Sequence, residues 1–201
     1  QFFVFRNLGY LTLNGPETKD SNFQWRDFER RVNGDLIGNL GNFFNRTFSM
    51  TNRYVGHVPE AKVTDPESVA LYMAARKAFD DVGTLIETGE FRQALYGVLA
   101  LSREANGYLE RREPWKKHDM DRAHVAETLS VCMEVADALR RLSAPFLPGV
   151  AERIESYLGV SDRSWAHSPL PSGTPVGPPT PLIPKVDPAV IDTEIRLGEE
   201  A

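Results

Sequence analysis

The sequence predicts an all-α protein, an antiparallel bundle of helices that carries a proline-rich C-terminal arm. Three observations support this fold class. Apolar residues recur every three to five positions over long stretches, which is the period of an amphipathic helix. Helix-capping and helix-breaking residues separate these stretches. No long stretch alternates between apolar and polar residues as a half-buried strand would. The connections are short, which favours antiparallel neighbours.

The first helix of the bundle is predicted to begin at Phe23 and to run to about Tyr54. Its apolar face consists of Phe28, Val32, Leu36, Leu40, Phe43 or Phe44, and Phe48. The helix also contains Gly34, Gly38 and Gly41. Because each glycine costs up to about 1 kcal/mol relative to alanine in a helix, we expect these three where another helix or a nucleotide comes close.

The second and third helices have clear boundaries. Asp65 can cap the second helix and Pro66 suits its first turn, and the helix extends to about Thr88. The third helix runs from Glu90 to about Arg112. The apolar pattern of the second helix is carried by Val69, Tyr72, Met73, Phe79, Val82 and Ile86, with Arg76 among them. The inward residues of the third helix are predicted to be Phe91, Leu95, Val98, Leu99 and Tyr108.

The fourth helix is predicted from about Met120 to Ser143. Its inward residues are expected to be Val125, Leu129, Cys132, Val135 and Leu139. Pro145 and Pro148 end this helix, and a fifth helix stops at Gly159. The fifth helix carries Val150, Ile154, Tyr157 and Leu158.

The composition changes after the bundle, which we place at residues 23–160. Residues 161–201 form the arm, in which seven prolines fall between Pro169 and Pro184. Such a segment must be extended. Asp187-Pro188 then caps a short last helix that carries Val190, Ile191, Ile195 and Leu197. An amphipathic segment after a long arm is expected to dock, either on the bundle or on another domain.

Length, charge and cysteine content limit the classes of function. The 201 residues suit one domain with an extra arm. The net charge of -5 argues against nucleic-acid binding through overall basicity, although a local basic face is compatible with it. Cys132 is the only cysteine, so it is expected to be a buried free thiol in a cytoplasmic protein. An intramolecular disulfide is impossible, and a cysteine-based zinc site is unsupported.

The start of the chain predicts a fragment of a longer protein. The sequence begins with glutamine rather than methionine, and residues 1–22 are expected to form a lead-in from a missing upstream domain. The apolar run Gln1–Phe5 is too short to span a membrane and has no basic residue before it. We therefore expect no membrane association.

Four polar residues form the first candidate binding motif. Asp35, Asn39, Asn42 and Arg46 are separated by four, three and four residues, which places them on one face of the first helix. Asparagine can donate and accept hydrogen bonds at once, and arginine can form paired hydrogen bonds or stack. These abilities match the exposed edge of an unpaired base. The alternative is an ordinary solvated helix face.

The second candidate motif is Pro114-Trp115-Lys116, in the turn between the third and fourth helices. Proline restricts the backbone before the tryptophan, and cations lie on both sides. A base can stack on such a ring, for about 1–3 kcal/mol, while lysine attracts phosphate. The alternative is a tryptophan that fills the end of the bundle.

The histidines give no sign of an enzyme. His57, His118, His124 and His167 are dispersed and lack the spacing of metal ligands. His118 and His124 are six residues apart, which would place them on different faces of one helix. No glycine-rich phosphate loop of the usual form and no nucleophile–base pair stands out. The residues therefore favour binding over catalysis.

Motifs in a fixed order along the chain resemble one family. They are Pro16-Glu17-Thr18-Lys19-Asp20-Ser21-Asn22-Phe23, Asn39-Leu40-Gly41-Asn42-Phe43-Phe44-Asn45-Arg46-Thr47, Ala105-Asn106-Gly107-Tyr108, Pro114-Trp115-Lys116, Pro145-Phe146-Leu147-Pro148 and Pro181-Leu182-Ile183-Pro184-Lys185-Val186-Asp187. Over roughly residues 16–190, the chain resembles the C-terminal part of methionyl-tRNA synthetases. That part is their α-helical anticodon-binding domain, a bundle of the class I aminoacyl-tRNA synthetase type.

The resemblance implies a role in RNA recognition. The family attaches methionine to its tRNA with ATP, and its helical domain reads the CAU anticodon. A tryptophan after proline stacks on a loop base, which falls on Trp115 with Pro114 setting its pose and Lys116 beside it. The base-reading contacts of the family fall on Asn39, Asn42 and Arg46, with Asp35 as a further candidate.

The catalytic signatures of the family, of the HIGH and KMSKS type, are absent from this sequence, as are its zinc-binding cysteines. We therefore expect the chain alone to be non-catalytic. It needs no cofactor of its own, while ATP with magnesium, and zinc, belong to the missing catalytic domain. The expected partners are a methionine tRNA and that domain.

Two other functions stay open from the sequence. One is a helical protein-interaction module that uses the arm and the last helix as its docking element. The other is the related helical domain of a different class I synthetase, such as those for leucine or valine.

Overall fold

The computed structural model describes residues 24–199, in which the bundle is built of helices joined by loops and no strand occurs. The elements are α1 (Trp25–Arg31), a π-helical segment (Val32–Gly41), α2 (Asn42–Tyr54), α3 (Pro66–Glu87), α4 (Phe91–Arg112), α5 (Pro114–Lys117), α6 (Arg122–Ser143), α7 (Pro148–Leu158) and α8 (Pro188–Glu199). The all-α prediction is confirmed. The predicted lead-in, 1–22, lies outside the described residues. None of the described helices is long and apolar enough to cross a membrane.

The core of the bundle lies where α3, α4 and α6 pack on one another, with α2 against α6. All five inward residues predicted for α6 are buried, including Cys132 as a free thiol. Burial raises the pKa of that thiol, because the interior disfavours its charged form.

The predicted apolar face of α3 is partly wrong. Val69 and Met73 are exposed, whereas Ser68, Leu71 and Ala75 are buried. The small side chains allow close packing of the helices, and the Ser68 hydroxyl shares a 2.8 Å hydrogen bond with the Tyr108 hydroxyl of α4.

Three other residues predicted to be apolar contacts are exposed, on α4 and α8. Phe91 is the first residue of α4 and half exposed, because the bundle ends there. On α8, Ile191 is buried, but Val190 and Leu197 are exposed. The helix therefore packs by a narrower face than its composition indicates.

The predicted helix caps are confirmed. The Asp65 carboxylate accepts from the backbone N–H groups of Glu67 (2.9 Å) and Ser68 (3.4 Å) at the start of α3. Asp187 accepts from the N–H of Ala189 at 2.9 Å at the start of α8. Each cap satisfies donors that the first helical turn leaves without partners.

The long first helix is continuous from α1 to α2, but its central part is π-helical. The N–H of Asn42 bonds to the carbonyl of Ile37, five residues earlier. A Cβ added at Gly38 would lie 3.2 Å from the carbonyl oxygen of Asn33 on the same helix, and one at Gly34 would meet nothing within 4 Å. The expectation that another helix approaches these glycines is therefore wrong, since the close atoms belong to the widened turns themselves.

The arm docks on the bundle. Residues 173–176 run antiparallel to the loop after α2, where the N–H of Val58 donates to the carbonyl of Thr174 at 2.8 Å. Further along, the side chain of Asn33 makes two hydrogen bonds with the backbone of Val186, at 3.0 and 3.1 Å. Helix α8 then lies against α1. The arm thus returns from the last bundle helix to the first.

A buried ionic cluster fastens the start of the arm. Asp137 is 2% exposed and accepts from Nε of Arg140 (2.7 Å) and Nε of Arg141 (2.8 Å). Both guanidinium groups also reach Asp162 in the arm, through its backbone carbonyl and its carboxylate. A hydrogen bond from the Ser164 N–H, and then one from Arg141, lower the pKa of Asp162 to about 2.

A second anchor of the arm is Trp165. Its indole N–H donates to the carbonyl of Phe79 on α3 at 3.0 Å. The indole lies over Gly83, where an added Cβ would be 2.9 Å from Nε1. Only glycine at this position leaves room for the ring.

Candidate nucleic-acid interface

The tryptophan of the second motif is presented by a sharp turn between α4 and α6. Glu113 has left-handed backbone angles (φ 46°, ψ 52°) and is the sole non-glycine residue with positive φ among residues 24–199. Pro114 is buried and begins α5, where its fixed φ suits the first helical position. Trp115 follows, half-buried, with its ring against the edge of the core.

The two motifs meet in the structure. The Arg46 guanidinium carbon lies 5.2 Å from the centroid of the Trp115 ring, within cation–π range. The same guanidinium forms an ion pair with Glu110 of α4, with Nη1 2.7 Å from Oε1. Arg46 is therefore held in place beside the ring before any ligand arrives.

Three asparagines form a chain of hydrogen bonds next to Arg46. Nδ2 of the exposed Asn42 donates to Oδ1 of Asn106 at 3.0 Å. Nδ2 of Asn106 donates in turn to the carbonyl and the side-chain oxygen of Asn39, at 3.0 and 3.3 Å. Nδ2 of Asn39 donates to the carbonyl of Leu99 at 2.9 Å.

The sequence spacing predicted that Asn39 lies on an open helix face, and this prediction is wrong. It is 9% exposed and points toward α4. A shared face at these spacings requires 3.6 residues per turn, and the π-helical segment breaks that period. Of the other three residues in the stripe, Asn42 is exposed, and Asp35 and Arg46 are partly exposed.

Two other predicted residues stand at the margins of this cluster. Asp35 lies in the π-helical segment, before Asn39, and no hydrogen bond or ion pair in the described part of the chain joins it to Asn42, Arg46 or Trp115. Lys116 is exposed and pairs with Glu113 at 2.6 Å. Lys116 directly follows Trp115 in the short helix α5.

Two residues of the cluster, Asn106 and Glu110, are not among the site residues predicted from the sequence. They are four residues apart on α4, so they share a face, and that spacing could have singled them out. Their contacts with Asn42 and Arg46 join α4 to α2.

A second aromatic contact lies close to Trp115. The ring of His118 stacks on that of Tyr54, with centroids 4.7 Å apart and planes 14° apart. Arg53 adds a cation 5.7 Å from the Tyr54 centroid. This end of the bundle thus combines cations and aromatic rings, although the whole chain is acidic.

The cluster offers the chemistry that an unpaired base requires. An indole provides a stacking surface, a guanidinium donates in a planar fork, and an exposed amide both donates and accepts. The described residues contain no group of three or more His, Cys, Asp or Glu side chains that could hold a metal ion.

Two family models match the sequence. The model described as the anticodon binding domain of methionyl tRNA ligase matches residues 58–192. The model described as class I tRNA synthetases (M) matches residues 8–48, which include Asn42 and Arg46.

Comparison with individual proteins also finds methionyl-tRNA synthetases. The chain is 37% identical to a methionine–tRNA ligase of Roseiflexus castenholzii, over 92% of this chain and 36% of that ligase. It is 41% identical to that of Methanopyrus kandleri, over 88% of this chain and 27% of the ligase. The crystal structure of the apo form of Mycobacterium tuberculosis methionyl-tRNA synthetase matches with a TM-score of 0.86 and 25% identity, over 92% of this chain and 39% of that one. The chain thus spans between about a quarter and two fifths of the length of these relatives.

Proposed function

Because the chain belongs to the methionyl-tRNA synthetase family and contains its anticodon-binding domain, we propose that it binds the anticodon loop of a methionine tRNA. The observation that carries this proposal is the Arg46 guanidinium beside the Trp115 ring. One unpaired base could stack on the indole while its edge accepts from the guanidinium. The preferred loop sequence is CAU, the anticodon that the resemblance implies.

Each residue of the cluster has a role in this proposal. Trp115 stacks a base and Pro114 fixes the direction of the ring. Arg46 and Asn42 hydrogen-bond to base edges. Lys116 attracts a phosphate. Asn39 acts beneath the surface, because it holds Asn106 and, through it, the amide of Asn42. Asp35 would reach only a nucleotide outside this cluster, through a base amino group.

The parent enzyme would join methionine to this tRNA with ATP in a catalytic domain, in the cytoplasm. The chain described here would hold the anticodon loop and so orient the distant acceptor end toward that domain. ATP, magnesium and zinc would then be bound by the catalytic domain.

Titration with RNA hairpins tests the proposal. A fluorescent stem-loop with CAU in its loop should bind roughly tenfold more tightly than the same stem with a scrambled loop, because unsatisfied base contacts cost about 1–3 kcal/mol. Equal affinity for the two hairpins would contradict the proposal. Tighter binding of a leucine or valine anticodon would instead favour the domain of another class I synthetase. Absence of RNA binding would favour the protein-interaction module.

Replacing Lys116 with alanine should weaken binding of CAU and scrambled hairpins by a similar factor. A lysine that contacts phosphate carries no sequence information, and losing one contact should flatten the dependence of log K on log salt by about 0.7 for single-stranded RNA. Titrations at several salt concentrations measure this slope. Lys77, which pairs with Asp81 on α3, provides a matched control. A loss confined to the CAU hairpin would contradict the assignment of Lys116 to phosphate.

A further inference from the structure

The turn that presents Trp115 is held at both of its ends by a histidine. Before the left-handed residue Glu113, the carbonyl of Arg112 accepts a 2.8 Å hydrogen bond from Nε2 of His124. After it, the carbonyl of Trp115 accepts a 2.9 Å hydrogen bond from Nδ1 of His118. We propose that His124 and His118 are positioning residues that fix the Trp115 indole for the base-stacking role given in the proposed function, on which this inference rests.

The contact at the first end is itself rigidly supported. Arg112 is 8% exposed and forms an ion pair with Asp65 and a 3.3 Å hydrogen bond with the Thr128 hydroxyl. The N–H of His124 is capped by Asp121 at 3.0 Å. The Thr128 hydroxyl also donates to the His124 carbonyl at 2.7 Å. The last residue of α4 and the first turn of α6 therefore form one unit.

The contact at the second end depends on a ring stack. His118 lies against Tyr54, with ring centroids 4.7 Å apart, and Tyr54 is the last residue of α2. The same helix carries Asn42 and Arg46. The stack therefore couples the end of α5 to the helix that supplies the polar half of the cluster.

The turn needs such support because its backbone is strained. A non-glycine residue in the left-handed region is energetically unfavourable and persists only where its surroundings hold it. Without the two histidine contacts, the turn could relax and the indole would take several orientations. A loop base would then have to order the ring on binding, which lowers the affinity.

Leucine and glutamine at position 124 separate the effect of the lost hydrogen bond from the effect of a changed side chain. His124→Leu removes the donor, whereas His124→Gln can place an amide N–H near the position of Nε2. We expect His124→Leu to weaken CAU hairpin binding about five-fold, the value of a single hydrogen bond, and His124→Gln to restore most of it. His118→Asn and His118→Leu form the equivalent pair at the other end. His57→Leu, at an exposed position in the loop after α2, serves as a histidine control outside the turn.

A double-mutant cycle tests whether the effect passes through the indole. In the Trp115→Ala background, His124→Leu should change hairpin affinity less than about two-fold, since residues that act through one another are not additive. Equal weakening in both backgrounds would show a general structural role and overturn the inference.

A measurement without RNA tests the positioning by itself. The chain has three tryptophans, so a fluorotryptophan label gives few ¹⁹F signals, and Trp115→Phe assigns the relevant one. We expect this signal to broaden or split in His124→Leu and to stay sharp in His124→Gln. An unchanged signal in His124→Leu would overturn the inference. Failure of the unmutated chain to prefer CAU would instead overturn the proposed function, while the ¹⁹F result would still decide the positioning.

Discussion

Replacement of Trp115 with alanine is expected to weaken CAU hairpin binding by about 5- to 150-fold, while the protein remains folded. Stacking of a base on an aromatic ring contributes about 1–3 kcal/mol, which corresponds to that range of affinities. The ring is only half-buried at the end of the bundle, and its removal leaves the central core intact. Fluorescence titration measures the affinity, and circular dichroism with thermal unfolding measures the fold.

Two further variants make this result specific. Trp115→Phe keeps a stacking surface and should lose less affinity than Trp115→Ala. Trp165→Ala removes an indole that anchors the arm on α3, and it should leave hairpin affinity unchanged. Near-normal CAU binding by Trp115→Ala would refute the stacking role. A similar loss in Trp165→Ala would show that the effect arises from the fold rather than from the indole.

Replacement of Asp137 with alanine is expected to lower the free energy of unfolding by about 3–5 kcal/mol. Asp137 is the buried partner of two guanidinium groups that are themselves almost fully buried. Its removal leaves Nε of both arginines without an acceptor in the interior, while Glu155 and Asp162 still pair with their other guanidinium nitrogens. Arg140 and Arg141 also hold Asp162, so the start of the arm should loosen as well. Urea denaturation measures the free energy, and limited proteolysis after Gly159 reports on the arm.

The matched control for this change is Asp81→Ala. Asp81 pairs with Lys77 one helical turn away on α3, with both side chains more than half exposed. Such a surface pair contributes about 0–1 kcal/mol, so the variant should be close to the unmutated protein in stability. If Asp137→Ala were equally mild, Glu155 and Asp162 would be sufficient partners for the two guanidinium groups, and Asp137 would not be the centre of the arm anchor.

Much of the fold could be predicted because its signals are local. The capping residue Asp65, the period of apolar residues in α6, and the prolines after residue 143 each act within a few positions of the backbone. These signals predict the first and last residues of α3, α4 and α6 to within two positions. The face of α3 was harder to predict, since close helix packing buried the small residues Ser68 and Ala75 in preference to larger apolar ones.

The candidate site could be predicted only in part, because tertiary contacts place its residues. Asn42, Arg46 and Trp115 carry recognisable chemistry, and the fold brings them together. Asn39 is buried because it lies in the π-helical segment. A pattern analysed with the 3.6-residue period of an α-helix cannot predict where such a segment occurs. His118 and His124 were considered only as ligands on a single helix. The turn at Glu113 gives each of them a backbone carbonyl as partner instead.

The ten-residue π-helical segment also has a consequence for how sequences of this family can vary. Successive residues of an α-helix are rotated by about 100°. Deleting one residue between Val32 and Gly41 could convert a widened turn to an ordinary one while both flanking helices persist. A π-helical turn holds about one residue more than an α-helical turn, so the deletion would leave α1 facing nearly the same direction relative to the end that carries Arg46 and Trp115. A second deletion in this stretch should instead rotate α1 about the helix axis by about 100°.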